Sequence, residues 1–130
     1  MMTLLYCFGN ATLAQRVIAY MQQRWRSHLH CVTVLFLNDR WMIRFTLKTT
    51  LGPDRVKDSC AFLDENGIVY VPSFSVTHVL NDLNQGCTPV AVMKRHNVAI
   101  VSHGPANPDE VRYFQEHVVA GLGYCPQSLV

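Results

Sequence analysis

A chain of 130 residues has the size of one ordinary domain and can bury a core without disulfide or metal staples. Only 15% of its residues are charged, against about 25% in typical soluble domains, so uncharged side chains or a second protein must cover part of the surface. Five widely spaced cysteines, an odd number, exclude a disulfide framework and predict free thiols in a reducing, cytoplasmic setting, while the net charge of +2 hides a division: residues 1–57 carry eight Lys and Arg against two acids, and residues 58–130 carry three against seven.

Residues 3–8 form an apolar run bounded by Gly9 and Asn10, which suits a short buried strand. No basic region precedes the run, and it is too short for a signal core or a membrane span, so no membrane association is expected. Thr12 and Gln15 have capping-box spacing, and Leu13, Val17, Tyr20, Met21 and Trp25 recur at helical period, which predicts a helix over about residues 12–27. Apolar and β-branched residues from His30 to Leu37 lead through Asn38, Asp39 and Arg40 into Trp41–Lys48, the pattern of a hairpin. Its second strand alternates, with Trp41, Ile43, Phe45 and Leu47 facing a core and Met42, Arg44, Thr46 and Lys48 expected on a solvated face.

Thr50–Asp58 reads as a connection. Asn66-Gly67 is the dipeptide that suits a type I′ turn, which predicts a second hairpin between Cys60–Glu65 and Ile68–Val71. Ser75 can cap a helix to about Asn84 that turns Val76, Val79, Leu80 and Leu83 inward and closes at Gly86. Residues 88–102 carry two patterns: Thr88-Pro89 is a helix start that would complete a helix-turn-helix, but the β-branched residues on both sides of His96-Asn97 favour a third hairpin. Asn107, Pro108 and Glu110 start a last helix from 108 to about 120 with Val111, Phe114, Val118 and Leu122 as its stripe, and residues from about 124 are expected to be loose.

The constellations that would carry chemistry are sparse. Arg40, Arg44 and Lys48 would make a basic stripe along one strand face, with Arg24 and Arg26 at the nearby helix end, a candidate binding patch able to follow a phosphate backbone. The aromatic Trp41 and Phe45 fall on the opposite face, so stacking platforms are missing from the patch. His28, His30 and Cys31 cluster without the paired ligands of a structural metal site, and Cys87 with His78 or His103 is a nominal thiol–imidazole pair in a chain rich in both residues. Asp64-Glu65 and Asp109-Glu110 have local explanations, at a turn and at a helix start, and no phosphate loop or hydrolase motif is present. No catalytic residue, cofactor or metal is therefore assigned.

The order strand, helix, hairpin, hairpin, helix, hairpin, helix predicts a single α+β domain over residues 1–130, an antiparallel sheet of two or three hairpins with about three helices packed on it. This order resembles, at fold level, small secretion-chaperone-like and other dimeric adaptor domains. The low charge and the hairpin edges in need of cover point to a non-enzymatic regulatory or adaptor protein acting by protein contact as a homodimer. Nucleic-acid binding through the basic patch is the alternative, and a small Cys/His enzyme comes third.

Overall fold

In the computed structural model, which describes residues 2–48 and 52–119, the alternating strand β3 (Arg40–Leu47) lies at the centre of a five-stranded antiparallel sheet. Strand β2 (Leu29–Leu37) joins it through Asn38-Asp39, whose φ angles of 52° and 62° are those of a type I′ connection, so the first hairpin stands as expected. Strand β1 (Met2–Phe8) pairs along the other edge of β3, from Phe8 opposite Trp41 to Met2 opposite Leu47. The outer positions are taken by β4 (Ile68–Val69) beside β1 and β5 (Ala99–Gly104) beside β2.

Helix α1 (Ala11–Trp25) starts one turn residue earlier than the spacing suggests, because Oδ1 of Asn10 accepts the Leu13 amide at 2.8 Å and takes the capping role expected of Thr12. Its stripe of Ala14, Val17, Ile18, Met21 and Trp25 lies on the face of the sheet that carries Tyr6, Phe8, Val34, Phe36, Trp41 and Phe45. Helix α5 (Pro108–Phe114), capped by Asn107 as predicted, seals the same layer: the Phe114 ring meets Phe36 at 5.5 Å and Trp41 at 5.8 Å. Each large apolar side chain buried there contributes roughly 1.5–3 kcal/mol by removal from water. The expected loose tail from about 124 lies outside the described residues.

Two expected hairpins are helices instead. Helix α2 (Pro53–Asn66) absorbs the segment assigned to the first strand of the second hairpin: Pro53 occupies its first turn, and the Asn66 amide and the Gly67 N–H donate to the carbonyls of Phe62 and Leu63 at 2.8 and 2.9 Å. Gly67 is extended, with no positive φ, and a Cβ there would lie 2.6 Å from the Cys7 carbonyl oxygen and 2.5 Å from the Phe8 ring. Asn66-Gly67 thus ends a helix against β1, where only glycine fits, and the two residues that follow pair with β1 rather than with their own neighbours.

Helix α4 (Pro89–His96) replaces the first arm of the third hairpin. Thr88 Oγ1 accepts the Ala91 amide at 3.2 Å, Pro89 supplies the first turn, and Asn97 closes the helix in the left-handed region (φ 58°, ψ 47°). Strong caps at both ends outweigh the β propensity of Val90 and Val92, and only Ala99–Gly104 becomes a strand. With α3 (Phe74–Asn84), capped by Ser73 rather than Ser75, α4 forms a helical hairpin through Gly86, at φ 92°, so five α-helices are present among the described residues where about three were expected.

That hairpin covers the second face of the sheet, where Leu35, Met42 and Ile100 meet Val76, Val79, Leu80, Leu83 and Val92. The face carrying Met42, Arg44 and Thr46 was expected to be solvated, yet Met42 and Arg44 are buried and only Lys48, just beyond the strand, is exposed. The first face is already occupied by α1 and α5, so the apolar stripe of α3 has the reverse of the same sheet to bury against.

Gly67→Ala should destabilise the protein by about 1–3 kcal/mol through overpacking against Phe8 and the Cys7 carbonyl. Urea unfolding would show a lower midpoint at an unchanged slope.

Candidate functional site

The sheet edge at β4 is where apolar side chains remain outside. Tyr70 makes a last ladder bond, its N–H donating to the Leu5 carbonyl at 3.0 Å, and Pro72, with no N–H to donate, takes the chain away from the sheet. Ser73 then caps α3, so the chain between Gly67 and Phe74 has no room to fold back over itself. Ile68 is 70% exposed, Val69 59%, Val71 84% and Phe74 83%, four large apolar residues within one short run. Beside the run opens a cleft of about 440 Å³ lined by Arg40, Tyr70, Ser73, Ser75, His96 and Asn97, with Cys7 and Met42 at its floor on the sheet. Burial pushes the Cys7 thiol up, against the opposing pull of Arg40.

One wall of this region is held by a small polar cluster. Asp82 of α3 receives His96 Nε2 at 2.6 Å and Arg95 Nη1 at 3.1 Å, both from the end of α4. These bonds, His96 first, hold the Asp82 carboxyl below the usual carboxylate range. The His78 ring lies between Phe74, at 4.4 Å, and His96, at 6.5 Å, and so joins the exposed run to this cluster. Asp82 thus takes up Arg95 and His96 at the end of α4 within the helical hairpin itself.

The five residues of the basic patch are divided. Arg24 pairs with Asp58 at 3.3 Å, and with Arg26 and Arg55 it lines a cleft at the C-terminal end of α1, where cations suit the helix dipole. The Arg55 guanidinium lies 5.5 Å from the centre of the buried Trp25 ring. Arg40 is at the first hairpin and Lys48 beyond the opposite end of β3, about 26 Å of extended chain away. Arg44 lies between them with only 6% of its surface exposed, its Nη2 donating to Thr33 Oγ1 at 3.3 Å.

The nominal pairing of Cys87 with His78 or His103 does not form among the described residues. His103 lies beside Cys31, with Nδ1 3.7 Å from the sulfur and 2.7 Å from Thr33 Oγ1, while Cys87 packs against the apolar cluster under α3 and α4. Burial first, and then the charge of Arg44, hold the His103 pKa below its ordinary value. No group of three or more metal-ligating side chains occurs among the described residues. In the sequence, Ile68–Val71 reads as the second arm of a hairpin and Phe74 as a staple residue of the next helix, which hides the exposed run at 68–74, although Pro72 after a short apolar stretch marks a sheet edge.

No known protein-family profile matches the chain, and no curated protein sequence matches it significantly. Among solved structures it is similar to the C-terminal domain of YpbH, with a TM-score of 0.51 at 14% sequence identity over 89% of this chain and 98% of that one. The likeness is one of fold.

The depressed pKa of His103 predicts a pH dependence. The unfolded chain takes up the proton first, so the stability contributed by neutral His103 is complete above about pH 6.5 and is lost as the pH falls toward the lower folded value. Between about pH 7.5 and about pH 5, the urea midpoint of His103→Asn should therefore fall less than that of the parent protein.

Proposed function

We propose that the protein is a non-enzymatic regulatory or adaptor protein that acts through protein contacts and self-associates as a homodimer. The observation that carries this reading is the exposed run of Ile68, Val69, Val71 and Phe74 at the β4 edge. These side chains contribute little to the core, so their apolar character serves a contact outside the fold. A two-fold arrangement of two copies would bury the same run on both, the simplest closed association for a self-complementary patch. Strand β4 is only two residues long and is followed by proline, so the contact is made by side chains rather than by long strand addition.

The setting that goes with this reading is cytoplasmic. The four cysteines among the described residues are all free, as in a reducing compartment, and no described helix is long and apolar enough to cross a membrane. Nucleic-acid binding through the first hairpin loses its support, because Arg44 lies beneath helices and Arg40 and Lys48 stand at opposite ends of the strand. A single-stranded oligonucleotide is expected to show no salt-dependent binding that is lost when Arg40 and Lys48 become Gln.

Size-exclusion chromatography with light scattering tests the contact. The parent protein should approach twice the monomer mass at high micromolar concentration, and Val71→Ser combined with Phe74→Ser should return it to the monomer, with a melting temperature matching the parent's at low concentration, where both are monomeric, because both side chains are exposed in the monomer. A parent protein that remains monomeric throughout, or a double variant that associates equally well, would overturn the homodimer.

A further inference from the structure

A buried arginine without an acid is the least explained group in the molecule. Arg44 is carried to the covered face of the sheet by the alternation that buries Trp41, Ile43 and Phe45 on the other face, and α3 closes over it. Its Nε is buried without a hydrogen-bond partner, and its one hydrogen bond among the described residues is Nη2 to the neutral Thr33 hydroxyl. No ion pair reaches it from the described residues. Burial lowers its pKa, but the ordinary value lies so far above neutrality that the guanidinium stays charged. The C-terminal end of α3 lies close by, at Leu83 and Asn84, but the carbonyls of Asn81, Asp82 and Leu83 already accept from Gln85, Cys87 and Gly86. A guanidinium whose Nε is buried and unpaired, and whose one hydrogen bond goes to a neutral hydroxyl, is a costly arrangement unless something completes it.

The surroundings say what would complete it. Arg44 lines a cleft of about 390 Å³, within the size range of small-molecule sites, and the other polar groups there are Thr3, His30, Cys31, Thr46, Asn84 and His103, with no carboxylate among them. Thr33 Oγ1 accepts from Arg44 and is 2.7 Å from His103 Nδ1, a contact whose direction follows the tautomer of the ring. The depressed pKa of His103 agrees with a neutral ring. The cleft therefore holds the Arg44 charge with no carboxylate beside it, which suits a small anion bringing one negative charge.

We infer that the cleft between the sheet and the end of α3 is a binding site for a small monocarboxylate, held by the Arg44 guanidinium through charge-assisted hydrogen bonds. Arg44 is the residue that binds the ligand, and Thr33 is a positioning residue that orients the guanidinium. The site is independent of the exposed run at the β4 edge, and its test does not depend on the oligomeric state.

Thermal unfolding and isothermal titration with sodium acetate, pyruvate and benzoate, against sodium chloride and inorganic phosphate at matched ionic strength, test the assignment. At least one carboxylate should raise the melting temperature saturably, with phosphate and chloride giving no saturable effect. Arg44→Gln should fold, melt at the same or a higher temperature without ligand because an uncompensated buried charge is gone, and bind about 10- to 100-fold more weakly. Arg44→Lys, which keeps the charge and loses the planar fork, should fall between the two. Thr33→Val provides a second variant, expected to weaken carboxylate binding by about threefold or more through loss of one orienting hydrogen bond. No saturable response to any of the three carboxylates, equal binding by Arg44→Gln, tighter binding of phosphate, or an Arg44→Gln protein that cannot fold would each overturn the inference.

Discussion

The structure depends on the burial of strand β3 from both sides. It is hydrogen-bonded to β1 and β2 along its two edges, with α1 and α5 packed on one face of the sheet and the α3–α4 hairpin on the other. A strand in that position has no solvent-facing side, so every alternate residue is committed to an interior. Trp41, Ile43, Phe45 and Leu47 meet this condition with apolar surface, and Met42 meets it on the reverse face. Arg44 does not, and the polar cluster around Thr33 and His103 exists because a charged side chain was carried into a layer that the rest of the strand requires to be dry.

The exposed run at the β4 edge and the Arg44 cleft are separate consequences of the same topology. The sheet needs an outer strand beside β1, but the chain that arrives there has just left α2 through a glycine pressed against Phe8 and must soon begin α3. Only two residues pair before Pro72 takes the chain away, and the apolar side chains of this passage have no layer above them. The Arg44 cleft lies on the covered face, roofed by the end of α3, and is polar where the other surface is apolar. Contact with a macromolecule suits the first, and a small anion suits the second.

Helices α3 and α4 act as one lid because they are joined by more than their turn. Asp82 binds Arg95 and His96 across the hairpin, while Val79, Leu83 and Val92 share one apolar cluster below. These polar bonds are partly exposed and contribute little by themselves, so the apolar contacts hold the lid and the polar bonds set its register.

Several elements are legible in the amino-acid sequence because local signals and burial agree there. The alternation of β3, the helical period of α1 and α3, the Asn107 cap of α5 and the Asn38-Asp39 turn each specify a backbone conformation with little help from elsewhere. Two segments mislead for a physical reason. Asn66-Gly67 and His96-Asn97 have turn chemistry that serves equally at the end of a helix, and the space left by Phe8 in the first case and the caps of α4 in the second decide between the two uses. The burial of Arg44 is not legible in the sequence, although its face of β3 is. The sequence by itself determined which side chains share a face of β3, since a period of two is built into extended backbone. Whether the Arg44 face meets water or a second helical layer was decided only by tertiary structure, because apolar burial is non-directional and the stripe of α3 takes whichever apolar surface the first layer leaves open.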